Sequence, residues 1–351
     1  MSVALPTVAP PPEQRNMDYP AQPRLNADIA ELHDTCDLTG VITYASQYAF
    51  AHGGFSDVYL GDWTVEHLGT KGVAVEEHIP IVIKAIRAYT RDRLDFARAR
   101  RIAINCAQRL NREVNILRRL SHPNIAEFLG IAFKQELRPC IVIKYYKNGI
   151  TPKYLELNPK ADRLALIKDV ADGLRYLHTL EPPIVHGDLK GCNTLVTDDG
   201  HAIITDFGLS RIIEEYSAPT GFTTTTFGGS IRHCAPELLF DPTVDFDDED
   251  SDQEDDGIAR NPTPQSDIWL FTGLNPYPDD RYDWNIVKSF TSHQIPSTKR
   301  VSDGRDRWLK KSTQVYNLLR QCWSFNPNVR PTIQVITQEL QNSTMAAEGG
   351  F

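Results

Sequence analysis

An α+β fold in two lobes is what this 351-residue sequence predicts. Three observations carry the expectation. Short β-like runs crowd residues 41–149, helical periodicity governs 150–342, and glycine-bearing polar motifs fall where two such halves would meet across a cleft. The length allows one large two-lobed domain or two ordinary ones, at about 100–200 residues each. Hydrophobic content of 41% with 24% charged residues is ordinary for a globular protein. No stretch approaches the roughly 18 consecutive apolar residues of a membrane span.

Residues 1–30 hold six prolines (Pro6, Pro10, Pro11, Pro12, Pro20, Pro23) and no hydrophobic period, which predicts a disordered leader. Its first residues lack the basic region of a signal peptide, so secretion is not expected. From Val41 onward the runs VITYA, DVYL, PIVIKAI and CIVIKYY read as strands. Before the last of them, Leu110, Val114, Leu117 and Leu120 recur on one face of a helix. After Gly149, Asn158 as a cap and Pro159 in the first turn open a helix whose apolar stripe is Leu164, Ile167, Ala171 and Leu174. A final helix over TIQVITQEL turns Ile333, Ile336 and Leu340 inward, and residues 343–351 form a polar tail.

The net charge of -9 has a single source: Asp245–Asp256 carries nine acidic residues and no basic one. Without that run the remaining acidic residues balance the 37 lysines and arginines, so the footprint of a nucleic-acid binder is missing. The run reads as a solvated insertion, with docking of basic substrates as the sharper alternative. Cys36, Cys106, Cys140, Cys192, Cys234 and Cys322 form no CxxC pair, which points to reduced thiols and to a cytoplasmic protein, with the nucleus as the other compartment.

Four stretches carry chemistry. In Ala51-His-Gly53-Gly54-Phe55-Ser56-Asp57-Val58, a tight turn between strands offers backbone N–H groups to phosphates, or is a plain hairpin. Lys84 ends an apolar strand and Glu113 lies on the first helix, either as an ion pair aimed at a phosphate or as a surface lysine apart from it. His186-Gly187-Asp188-Leu189-Lys190-Gly191-Cys192-Asn193 and Asp206-Phe207-Gly208 follow on loops beside short strands. Two carboxylates, a cation and an asparagine are the inventory of phosphoryl transfer: one group to orient the hydroxyl, one to offset developing charge, and oxygen donors for Mg²⁺.

With these motifs the sequence resembles the eukaryotic protein kinases over about residues 41–342, and within them the serine/threonine type of the tyrosine-kinase-like group. The resemblance rests on Ile81-Val82-Ile83-Lys84, on Glu113 ahead of His122-Pro123-Asn124-Ile125, and on the hinge Ile141–Tyr146 with Ile143 as gatekeeper. It also rests on His186-Gly187-Asp188, Asp206-Phe207-Gly208, Ala235-Pro236-Glu237, and Arg330, which pairs Glu237 in that family. It implies a bilobal kinase fold, with N-lobe and hinge at 41–149, C-lobe at 150–342, and ATP and Mg²⁺ in the cleft. Asp188 would orient the substrate hydroxyl, Lys190 would neutralise the transferring phosphoryl, and Asn193 and Asp206 would hold Mg²⁺. Lys84, held by Glu113, would grip the α and β phosphates under Gly53 and Gly54. Val58, Val82 and Leu195 would sandwich adenine, and Tyr146 would offer a backbone contact. Lys190 and Gly229-Ser230 imply protein substrates modified on serine or threonine.

The sequence departs from the family in four places. Ala51 and Ser56 replace glycines, Val82 replaces an alanine facing adenine, and Gly187 replaces the arginine that binds an activation-loop phosphate. After Ser266-Asp267-Ile268-Trp269 the next landmark, Thr272-Gly273, comes about eight residues early, a loss of roughly 12 Å of central helix at 1.5 Å per residue. An error at an exon boundary is favoured over a real deletion, because both flanks match the family up to the gap. A pseudokinase serving as a scaffold is the alternative reading, motivated by the shortened helix, Ala51 and Val82.

Overall fold

The computed structural model describes residues 37–52, 56–68, 74–86, 110–134, 138–208, 211–212, 233–239, 261–271 and 313–348. The leader, Gly53, Gly54, the threonine run 223–226, Gly229-Ser230 and the acidic run 245–256 lie outside the described residues.

The first lobe is built on one antiparallel sheet. Its strands are β1 (Ile42–Tyr44), β2 (Ala51–His52), β3 (Ser56–Leu68), β4 (Ala74–Ile86), β5 (Phe128–Lys134) and β6 (Arg138–Lys144). They stand in the order β1-β3-β4-β6-β5, with β2 paired to β3. The branched run Ile81-Val82-Ile83 favours the pleated conformation and decides which face is buried. Ile81, Ile83 and Ala85 are fully buried with Tyr59 and Val142 on one side, which leaves Val82 and Lys84 on the other. Helix α1, of which residues 110–117 are described, packs Leu110, Val114 and Leu117 inward.

Two of these strands run further than the sequence announces. DVYL belongs to a strand of 13 residues, and PIVIKAI to another of the same length. They pair from Ser56–Ile86 out to Leu68–Ala74. The inner part of β4 has β6 on its far side over Ile81–Ala85, and β1 covers β3 at Gly61–Trp63. Beyond these, the outer four register pairs, Val65–Glu77 to Leu68–Ala74, have no third strand among the described residues.

The second lobe carries α2 (Thr151–Leu157), α3 (Arg163–Thr179), α4 (Pro264–Phe271), α5 (Thr313–Cys322) and α6 (Ile333–Glu348). Short strands β7 (Ile184–Val185), β8 (Thr194–Val196), β9 (Ala202–Ile204) and β10 (Arg211–Ile212) pair as β7–β10 and β8–β9. The cap of α3 is Asp162 rather than Asn158. Its carboxylate accepts from the N–H groups of Leu164 and Ala165 at 2.9 and 3.0 Å, whereas Asn158 closes α2 by donating its own N–H to Tyr154 O. The α3 stripe then buries Leu166, Ala171, Leu174 and Leu177 against β9 and α6.

Helix α4 spans eight of the described residues, and every one from Ser266 to Phe271 is buried. The last helix runs on to Glu348, past the point at which the sequence suggests a tail. No helix among the described residues is long and apolar enough to cross a membrane.

Candidate active site

Strand β4 delivers Lys84 to the inner face of the sheet opposite Val58, and buried α1 delivers Glu113 to meet it. The Lys84 ammonium donates to Glu113 Oε1 at 2.7 Å and to Asp206 Oδ1 at 2.6 Å. Burial alone would lower the Lys84 ammonium, but the charges of Asp206 and Glu113 outweigh it and hold the group above the ordinary lysine range. Burial alone would likewise raise Asp206. The Lys84 charge and hydrogen bond prevail, assisted by His186 and the Gly208 N–H, and hold this carboxyl well below the usual range. Both groups are therefore ionised at neutral pH, so a fixed positive charge faces the cleft beside a fixed negative one.

The second half of the site hangs on the loop between β7 and β8. Asp188 Oδ1 and Oδ2 each accept from the Lys190 ammonium, at 2.9 and 2.8 Å. Asn193, in a 3-10 turn at Gly191–Asn193, donates through Nδ2 to Asp188 O and Oδ2 at 2.8 and 2.9 Å. The Asn193 carbonyl in turn accepts from Thr205 N–H at 2.9 Å, which sets Asp206 beside it. A lysine and an amide thus fix one carboxylate, and a backbone bond draws the second alongside.

Buried His186 organises this loop from beneath. Its Nδ1 accepts from Asp188 N–H at 3.2 Å, and its Nε2 donates to Thr205 O at 3.0 Å. The ring meets Phe207 edge-on, with centroids 5.2 Å apart. Asp206 is held with φ at 65°, a left-handed conformation of the kind that costs about 1–3 kcal/mol and persists at functional sites. Gly187 has φ at 77°, which it adopts without the strain a side chain would add.

Asp267, fully buried on α4, anchors the loop from the helical side. Its carboxylate accepts from the N–H groups of His186 and Gly187, both at 2.8 Å, and from His178 Nε2 at 2.9 Å. Sequence reasoning missed His178. A signal was present, because His178 continues the stripe of Leu164, Ile167, Ala171 and Leu174 at helical spacing, and a polar group there needs a buried partner. The direct contact of Lys84 with Asp206 was missed as well, and it joins the two halves of the site.

Among the residues expected to face adenine, Val58 and Val82 share the Lys84 face of the sheet, and Val82 stands opposite Ile143, the residue expected to be the gatekeeper. Leu195 lies on β8 two residues after Asn193 and bridges to Ile150. Tyr146 sits in the segment after β6, where its hydroxyl accepts from Glu127 N–H at 3.2 Å. Gly53 and Gly54 fall outside the described residues.

The donor set suits a hard cation. Asp206 offers a carboxylate and Asn193 an amide oxygen, and Mg²⁺ is held through one or two such protein oxygens together with substrate phosphates. Among the described residues no cluster of three or more histidine, cysteine or acidic side chains competes for a metal.

A family model described as "Protein tyrosine and serine/threonine kinase" matches residues 46–340. The serine/threonine-protein kinase CTR1 of Arabidopsis thaliana is 37% identical over 244 residues, 67% of this chain and 27% of that protein. The serine/threonine-protein kinase TNNI3K of Mus musculus is 35% identical over 132 residues, 36% of this chain and 16% of its own length. The dual specificity protein kinase splA of Dictyostelium discoideum is 30% identical over 251 residues, 65% of this chain and 9% of its own. The chain spans much less than two thirds of the length of each of these relatives.

Proposed function

Because the chain belongs to the protein tyrosine and serine/threonine kinase family, we propose that it transfers the γ-phosphate of ATP to serine and threonine hydroxyls of protein substrates. The observation that carries the reading is the joined constellation of Lys84, Glu113, Asp206, Asn193, Asp188 and Lys190 in one cleft.

In this reading Asp188 orients the attacking hydroxyl and accepts its proton as oxygen attacks the γ-phosphorus and the bond to the β-phosphate oxygen breaks. Lys190, bonded to Asp188, offsets charge on the transferring group. Lys84 grips the α and β phosphates, positioned by buried Glu113. Mg²⁺, held by Asp206 and Asn193, neutralises phosphate oxygens when bound. Val58, Val82 and Leu195 flank adenine, and the Tyr146 backbone meets its edge. Catalysis is then positioning and electrostatics, with no covalent enzyme intermediate.

Specificity for serine and threonine is supported by Lys190 two residues after Asp188 and by the printed names of CTR1 and TNNI3K. Cys140, Cys192, Cys234 and Cys322, which form no disulfide among the described residues, suit a reducing compartment, the cytoplasm or the nucleus.

The test is transfer of labelled γ-phosphate from Mg-ATP to the chain itself and to a generic protein substrate, beside an Asp206→Ala control. Phosphoserine and phosphothreonine absent from the control are expected. Label confined to phosphotyrosine would overturn the specificity, and no transfer by a folded, monodisperse chain would overturn the activity.

A further inference from the structure

Strand β2 is two residues long and pairs only with β3 among the described residues, through Ala51–Val58 and His52–Asp57. Among the described residues the backbone holds it through these two register pairs and through Phe50 N–H, which donates to Val58 O at 2.7 Å just ahead of it. The register divides its residues between two faces. Ala51, Val58 and Lys84 align on the face that looks into the cleft, and His52, Asp57 and Ala85 align on the opposite face. On that outer face His52 Nδ1 donates to Asp57 Oδ1 at 2.9 Å. The two side chains are unequally exposed, 66% for His52 and 15% for Asp57, so a largely enclosed carboxylate receives an accessible imidazole.

We propose that His52 and Asp57 are positioning residues for the nucleotide: their cross-strand clasp pins β2 to β3 from outside, and so fixes Ala51 and Val58 as the roof of the cleft. The clasp stands where Ala51 and Ser56 replace the glycines of the family, and Ser56 is itself buried. It touches neither nucleotide nor reacting atoms. It acts through β3, where Val58 pairs with Lys84 on the cleft face and its chain neighbour Tyr59 pairs with Ile83 in the core of the opposite face. The inference rests on the nucleotide-binding reading given above.

The second exposed pair of the same chemistry supplies a control. His201 Nδ1 lies 3.2 Å from Asp169 Oδ2 with exposures of 66% and 19%, on the far lobe. Dissociation constants for Mg-ATP, and KM and kcat in phosphate transfer, are measured for the full chain and for His52→Ala, Asp57→Asn, the double variant, His52→Asn and His201→Ala. His52→Ala is expected to bind Mg-ATP about two- to fivefold more weakly, as the loss of one exposed pair implies, and the double variant no more weakly than Asp57→Asn alone. The change falls on KM and leaves kcat within about twofold. His52→Asn, whose amide reaches Asp57, restores affinity, and His201→Ala leaves it unchanged. Unaltered affinity in His52→Ala, additive losses in the double variant, or an equal loss in His201→Ala overturns the clasp while the phosphotransferase reading stands. A wild-type chain that binds no Mg-ATP overturns both.

Discussion

The guanidinium of Arg330 grips the carboxylate of Glu237 through two parallel bonds, Nη1 to Oε1 at 2.6 Å and Nη2 to Oε2 at 2.8 Å. The arginine is sealed from solvent and spends its other donors on the carbonyls of Ser324 and Gln265, both at 2.8 Å, with its plane 5.1 Å from the Trp269 ring centroid. Removing one partner strands a buried charge. Glu237→Gln is therefore expected to lose about 3–5 kcal/mol of stability. A double replacement of both residues by apolar ones is expected to lose less. Urea midpoints decide, and a double variant no better than the single would contradict the argument.

Asp267 is expected to be as sensitive in activity as Glu237 is in stability. Asn in its place keeps the shape but puts an NH₂ group against a donor, so either the Gly187 contact at Oδ1 or the His186 and His178 contacts at Oδ2 are lost. A shift of Asp188 by about 1 Å is enough to cost roughly 10²-fold in rate. Asp267→Asn should lower kcat on that scale with little change in ATP affinity. Unchanged kcat would show that the backbone holds the loop without the carboxylate.

Acid should loosen the cleft in a defined window. The folded-state value of Asp206 lies below its unfolded one, because Lys84 outweighs burial, so the group stabilises the fold above the unfolded pKa of about 3.9. That contribution fades as pH falls below this value toward the folded one. Wild type should lose stability steeply below about pH 4, and Asp206→Asn less steeply. Melting temperatures between pH 6 and 2 give the comparison, and identical slopes would refute it.

Gly173→Ala sets two effects of opposite sign against each other. Alanine favours a helix interior by about 1 kcal/mol over glycine. A Cβ at Gly173 would meet the Asn124 carbonyl oxygen at 2.8 Å and Ile204 Cδ1 at 3.1 Å, and that oxygen belongs to backbone that pairs with β9. Overpacking costs about 1–3 kcal/mol, so a lower melting temperature is expected. A higher one would mean that α3 moves away at no cost.

The site was legible where function forces a residue type into an unlikely setting. Lys84 closing an apolar strand, and two aspartates with an asparagine on loops, are costly placements that only chemistry explains. The apolar stripe of α3 was legible for the simpler reason of period, yet its start was not. Asn158 and Asp162 are both good caps, and only the folded chain shows which one meets free N–H groups. Strand β5 escaped notice because Gly130 interrupts FLGIAFK and a register shift follows Phe128. The ends of β3 and β4 escaped it because TVEHL and AVEEH alternate polar and apolar residues too weakly to announce a strand.

Among the described residues those outer registers form a two-stranded ribbon with no third strand on either edge, the kind of template on which another chain can add a strand. Glu66 stands directly across from Glu76 on one face, a like-charge pair that weakens the ribbon itself, and Glu77 adds a carboxylate on the other face. The same repulsion acts between molecules. Two copies approaching edge to edge bring these carboxylates together before any strand can zip, so the ribbon trades some of its own cohesion for solubility.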